Sequence, residues 1–208
     1  MSHHERFFKS NAGGAGVTIL VGLLVVALVV GFLGVGRYNT LVTEDERVDS
    51  ALSEVQNQYK RRFDLIPQLV EVVKGAADFE KSTITQVTEA RASVGQIQID
   101  ASTADPAKLK QFFDAQSNLG GALTRLLATA ERYPDLKATA NFRDLQSQIE
   151  GTENRIGVAR RDYIDAVKSY NVAMRRFPGN VVANVTGFEA KPQLEFDDPV
   201  EEVPDVSF

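Results

Sequence analysis

The chain has 208 residues and a formal net charge of −5 at pH 7, which is long enough for one domain with its own core. It has no cysteine and no tryptophan, and its two histidines are His3 and His4. A disulfide framework and a thiolate site are therefore excluded, and the usual general base and zinc ligand are missing from everything after residue 4.

Residues 11–36 carry no charge, and residues 17–35 read VTILVGLLVVALVVGFLGV. About 20 apolar residues span the hydrocarbon core of a bilayer. A short N-terminal segment, 1–13, is thus followed by a predicted transmembrane helix over 14–36. A cleaved signal peptide would have a shorter apolar region, roughly 7–15 residues, ending in a small-x-small site. This run passes straight into Arg37-Tyr38-Asn39 instead. Arg6 and Lys9 flank it on one side and Arg37 and Arg47 on the other, so the cation count is balanced. The short N-terminal flank points to an N-terminus inside, with the bulk of the chain on the outer side of the membrane.

A heptad seam then begins at Leu41 and continues through Val48, Leu52, Val55, Tyr59, Arg62, Ile66, Leu69 and Val73. Either Pro67 kinks one long helix, or Asp64 caps a new helix with Pro67 in its first turn. The unslipped seam favours the kink. Gly75 need not end the helix, and Phe79, Val87, Ala90, Val94 and Ile97 carry the stripe to about Gln98. Residues 99–106 form a loop, with Asp105 as N-cap and Pro106 in the first helical position. The next helix puts Leu109, Phe112, Gln116, Leu119, Leu123, Leu126 and Ala130 on one face. Gly120-Gly121 in its middle marks a close approach or a hinge.

Tyr133-Pro134 ends that helix, and Asp135 can start the next. From 133 to 177 one pattern runs through Phe142, Leu145, Ile149, Thr152, Ile156, Ala159, Tyr163, Ala166, Tyr170, Ala173 and Phe177. Phe177-Pro178-Gly179-Asn180 stops it. The predicted bundle domain is 37–177. The tail, 178–208, has four prolines and seven acids against Lys191 and reads as extended, with 181–188 docking on the bundle or the membrane surface. It carries −6, so residues 1–177 sum to +1 and offer no basic stripe for nucleic acid.

The expected fold is all-α: a transmembrane helix, an antiparallel up-and-down bundle of three or four long helices, and an extended acidic tail. A 40-residue helix is about 60 Å long, so such a rod has a thin core and much lateral surface. Rods of this kind tend to pack side by side, which makes a homo-oligomer and the lipid bilayer the expected partners.

Three groups of residues stand out. Arg61, Arg62 and Asp64 flank Pro67 and form a partner-binding motif, unless Arg62 pairs in the seam with Asp64 or Glu131. Tyr133, Pro134, Asp135 and Leu136 sit at a helix turn, where helix-end charge and capping explain them better than catalysis. Asn141, Asn154, Tyr170 and Asn171 lie in or beside the long seam, where polar residues set register. No Glu-x-x-His pair and no GK[ST] phosphate loop is present, so no cofactor or metal is expected.

From Tyr38 the chain reads YNTLVTEDERVDSALSEVQNQYKRRFDLIPQLVEVVKG. Later come Glu89-Ala90-Arg91, Leu123-Thr124-Arg125-Leu126, and ERYPDLKATANFRDLQSQIEGTENRI. AR-x-x-Y at 159–163, Ser169-Tyr170-Asn171, Phe177-Pro178 and FEAKPQLEF follow. In these blocks the chain resembles the LemA family of bacterial single-pass membrane proteins over almost everything after the anchor. It departs at Ala76, Phe79 and Ile164, where the family often has Tyr, His and Asn. The resemblance implies a helical bundle behind a membrane helix and no enzymatic activity. It also implies links to magnetosome membrane formation and to a membrane-bound zinc metallopeptidase. The reading is a non-enzymatic membrane scaffold, or alternatively an adaptor for another membrane protein such as that metallopeptidase.

Overall fold

A computed structural model describes residues 12–97, 99 and 105–193. Its first helix, α1 (Ala12–Lys74), is 63 residues long and unbroken. The predicted anchor and the first bundle helix are therefore one helix, with no joint at Arg37. Its two parts face different surroundings. Ile19, Leu20, Val21, Val25, Val26, Val29 and Leu33 are exposed on every face of the helix, as in a lipid-facing span, whereas Leu41, Val48, Leu52, Val55, Tyr59, Arg62, Ile66, Leu69 and Val73 are buried. Among the described residues this is the one helix long and apolar enough to cross a membrane. Of the predicted segment 1–13, only Ala12 and Gly13 are described, and they already belong to α1.

α1 continues through Pro67, and no new helix starts at Asp64. The expectation that the helix reaches Gln98 is corrected. It stops at Lys74, and α2 (Lys81–Gly95) begins after a turn in which Asp78 takes φ 59°. Gly75 tips the balance there, because glycine is the weakest helix former short of proline and the Asp three residues on tolerates the left-handed region. α3 (Pro106–Ala130) starts as predicted, with the Asp105 carboxylate accepting from the Ala107 amide at 3.0 Å.

The 133–177 run is two helices. α4 (Pro134–Ala138) is one short turn of YPDLKA, and α5 (Ala140–Arg175) is the long helix. Thr139 separates them with extended backbone, and its hydroxyl accepts from the Phe142 amide, so Thr139 and not Asp135 caps α5. The seam of α5 is buried from Phe142 to Tyr170, but Phe177 is 81% exposed. The chain has left the helix before reaching it.

The extended tail is also corrected. Residues after Pro178 form α6 (Gly179–Thr186), which closes on Gly187 in the left-handed conformation. A Cβ at Gly179 would lie 2.2 Å from the Ala173 carbonyl oxygen, so only glycine lets α6 start so close to the end of α5. Residues 194–208 lie outside the described residues.

α1, α2, α3 and α5 form the up-and-down four-helix bundle, in which α1 lies closest to α5 and α2 closest to α3. Larger side chains fill the space between these two pairs. One core cluster runs from Val48 to Tyr59 with Phe112, Phe113 and Tyr163; a second runs from Ile66 to Val73 with Leu119, Leu126 and Phe142. Arg62 sits at the join between them.

Candidate functional site

The predicted site residues do not converge. They occupy three levels of the bundle, which we describe from the far end towards the anchor.

At the far end, Tyr133 stacks on Phe79 with ring centroids 4.8 Å apart, and its hydroxyl donates to the Asp78 carbonyl at 3.0 Å. Arg132 donates to Glu80 at 2.9 Å, and Lys137 pairs with Glu131. Hydrogen bonds from Ser82 and then Arg132 hold the Glu80 carboxyl below its ordinary pKa. Leu136 is buried, while Pro134 and Asp135 are exposed. The YPDLKA block thus ties the α1–α2 turn to the α3–α5 connection. Phe79, which departs from the family pattern, supplies the ring that Tyr133 stacks on.

Arg62 defines the middle level and is 1% exposed. One guanidinium nitrogen donates to Glu153 at 2.8 Å, and the other donates to the backbone oxygen and Oε1 of Gln116 at 2.8 and 2.7 Å. The expectation that Arg62 pairs with Asp64 or Glu131 is corrected. Asp64 points outward and takes Lys60 four residues earlier, a helix-surface pair, while Glu131 belongs to the far end. Gly120 explains the room available: a Cβ there would stand 3.3 Å from the guanidinium. The double glycine is therefore a close approach in an unbroken helix.

Pro67 has its own partner. It cannot donate to the Phe63 carbonyl four residues earlier. The Arg91 side chain approaches that orphaned oxygen at 3.4 Å while lying 3.9 Å over the Phe63 ring. The Glu89-Ala90-Arg91 block thus serves the proline of RRFDLIP. Arg61, Asp64 and Pro67 themselves are exposed on the outer side of α1.

The level nearest the anchor joins the long helices to the tail. Tyr170 is buried, and its hydroxyl donates to the Glu189 carbonyl at 2.9 Å. Asn171 donates to the Lys191 carbonyl at 2.8 Å and accepts from the Lys191 amide at 3.0 Å. Lys191 then reaches Asp45 at 2.7 Å and Asp49 at 3.0 Å, two carboxylates one helical turn apart on α1. Burial alone would push the Lys191 ammonium down, but hydrogen bonds to both aspartates outweigh it and hold the pKa above the ordinary value. Burial raises the nearby Tyr170 and pushes Tyr163 up to about 12. Of the asparagines expected in the seam, Asn171 pins this strap, whereas Asn141 and Asn154 are exposed and set no register.

Gln116 was already on the predicted α3 face. Glu153 and Lys191 were not singled out, because their partners lie far off in the chain and neither sits in a periodic stripe. Among the described residues no group of three or more His, Cys, Asp or Glu could hold a metal ion.

Comparison with known proteins finds one family. The model of the LemA family matches residues 51–208. The magnetosome protein MamQ 2 of Paramagnetospirillum magneticum is 27% identical over 195 residues, covering 85% of this chain and 72% of the relative. The protein LemA of Metamycoplasma hominis is 30% identical over 165 residues, covering 76% and 72%. The magnetosome protein MamQ of Magnetospirillum gryphiswaldense is 25% identical over 170 residues, covering 74% and 62%.

Proposed function

The chain belongs to the LemA family, and from that premise we propose that it is a non-enzymatic scaffold that self-associates through its long helices. In this reading α1 anchors it in the bacterial inner membrane with the bundle on the outer side, and assembly organises the membrane or envelope. That two of the relatives above are named magnetosome proteins is in keeping with a role at a membrane.

The observation that carries the proposal is a set of exposed apolar side chains on the outer face of α5. Val158, Ile164 and Val172 are exposed large apolar residues. At about 100° per residue they fall within an arc of roughly 120°, opposite the buried face of Ile156, Ala159, Tyr163, Ala166 and Tyr170. Arg161, Asp165 and Lys168 lie exposed among Val158, Ile164 and Val172, so this outer face offers scattered apolar contact points, ringed by charges, that the bundle itself does not use. Side-by-side contact through these residues, with the charges between them pairing across the seam, would assemble rods standing in one membrane.

Sedimentation of the detergent-solubilised full chain over a wide concentration range tests this. A species larger than the monomer is expected, weakened in the double variant V158E/I164E. A strict monomer throughout that range overturns the proposal.

A further inference from the structure

α6 lies against a stretch of α1 that is still inside the apolar span. Gly31, Gly34, Val35 and Tyr38 of α1 form one wall of a groove of about 360 Å³, and Val181, Val182, Val185 and Thr186 of α6 form the other. The charge-free run ends at Gly36, and Arg37 is the first charged side chain after it. The hydrocarbon boundary therefore falls near Val35, and Gly31 lies about 6 Å deeper along the helix. α6, which faces Gly31 and Gly34 across this groove, sits at that depth too.

The sequence of α6 suits such a place. GNVVANVT carries no charge. Gly179 and Ala183 turn towards the protein, while Val181 is 51% and Val185 82% exposed. The Thr186 hydroxyl donates to the Val182 carbonyl at 2.7 Å, and the Asn180 side chain accepts from the Val181 amide at 2.9 Å, so two polar side chains already have partners within the helix. Phe177, just before α6, is 81% exposed. Arg175 and Arg176 precede it, both exposed, as headgroup-facing cations flanking an interfacial segment would be. In water this would be an unpaired apolar patch, but it is continuous with the lipid-facing surface of α1.

We infer that α6, together with Phe177, is a second membrane contact: an interfacial helix that enters the leaflet through which α1 leaves. Its outward valines meet lipid, and acyl chains fill the groove over Gly31 and Gly34. Interfacial helices bury their apolar face about 5–10 Å into the headgroup–acyl boundary, which matches the depth of Gly31. The Lys191 strap then closes behind α6, with Phe188 resting 5.9 Å from Tyr38 and 6.5 Å from Tyr170. This contact depends on the anchor and not on self-association, so either reading can fail while the other stands.

The chain has no cysteine, so a single introduced one is unique. Full-length V185C and F177C, labelled with a polarity-sensitive nitrobenzoxadiazole dye, are placed in phosphatidylethanolamine–phosphatidylglycerol vesicles. Q68C, exposed far along α1, serves as the aqueous control. Blue-shifted emission at 185 and 177 is expected, with about half the intensity lost to lipids carrying doxyl groups high on the acyl chain and little lost to iodide. Emission like that of Q68C overturns the inference. Emission that is blue-shifted but insensitive to doxyl lipid also overturns it, since a protein surface would then fill the groove.

Discussion

Arg62 and Lys191 each tie distant parts of the chain together, and they do so in opposite settings. Arg62 is sealed between two halves of the core, and its planar fork serves one carboxylate and both oxygens of one glutamine. Lys191 stands on a non-helical strap, half-buried, as a point charge between two aspartates. Arginine can satisfy several acceptors at fixed angles in a dry seam, whereas an ammonium suits a wetter site that has to close and open. Arg62 therefore belongs to the global fold, and Lys191 holds down one segment.

The largest test of that contrast is Arg62→Ala. It strands the Gln116 oxygens in the core and opens a cavity, so a loss of about 3 kcal/mol is expected. The thermal midpoint, followed by circular dichroism, should fall by roughly 6–12 °C. R62M combined with Q116L should recover most of the loss, because a buried polar network replaced as a unit by apolar groups is often neutral.

Asn171→Ala should behave differently. It removes both hydrogen bonds to the Lys191 backbone, about 1–2 kcal/mol, from the strap alone. Hydrogen exchange should rise over residues 188–193 while the global midpoint barely moves. If the midpoint fell as far as for Arg62→Ala, the two ties would be of one kind.

Alkaline pH separates them further. The Lys191 pKa is raised on folding, so its contribution is fully present below the ordinary value of 10.5 and lost as pH rises past the raised value. Tyr163 acts in the same direction between 10.0 and about 12, because its buried phenol resists ionisation that the unfolded chain would undergo freely. Strap release should therefore precede or accompany loss of the aromatic core above pH 10.5.

Smaller effects probe the crowding around Arg62. Gly121→Ala meets open space and should stabilise α3 by up to about 1 kcal/mol through helix propensity. Gly120→Ala should gain less or nothing, since the guanidinium 3.3 Å away is held by three hydrogen bonds. Smallest is the coupling between Pro67 and Arg91, about 0.5 kcal/mol in a double-mutant cycle of P67A and R91M. An alanine at 67 restores the amide donor and makes the arginine redundant.

Much of the fold was legible because it rests on periodicity. The whole Leu41–Val73 seam is buried and the Asp105 cap lies where expected, while the last long helix stops at Arg175, two residues short of Phe177. Arg62 could be placed in the core for the same reason, but its partners could not, because spacing along one helix says nothing about the facing helix. The breaks at Gly75 and Thr139 are masked in the sequence, since each lies between strong apolar stripes. α6 is eight residues long, too short for a stripe, and it forms where α1 and α5 give it something to pack on. Lys191 and Asp49 are 142 residues apart, beyond the reach of any local rule.

The unbroken α1 has a mechanical consequence. No flexible joint separates the part in lipid from the part in the bundle, so the bundle inherits the angle at which the anchor crosses the bilayer. From Arg37 to Lys74 the helix extends about 55 Å. Transmembrane helices lean by about 20° on average to match their apolar length to the bilayer, and such a lean would carry the far turn sideways by roughly 20 Å. A change of a few ångströms in membrane thickness is thereby converted into a much larger sweep of the YPDLKA end.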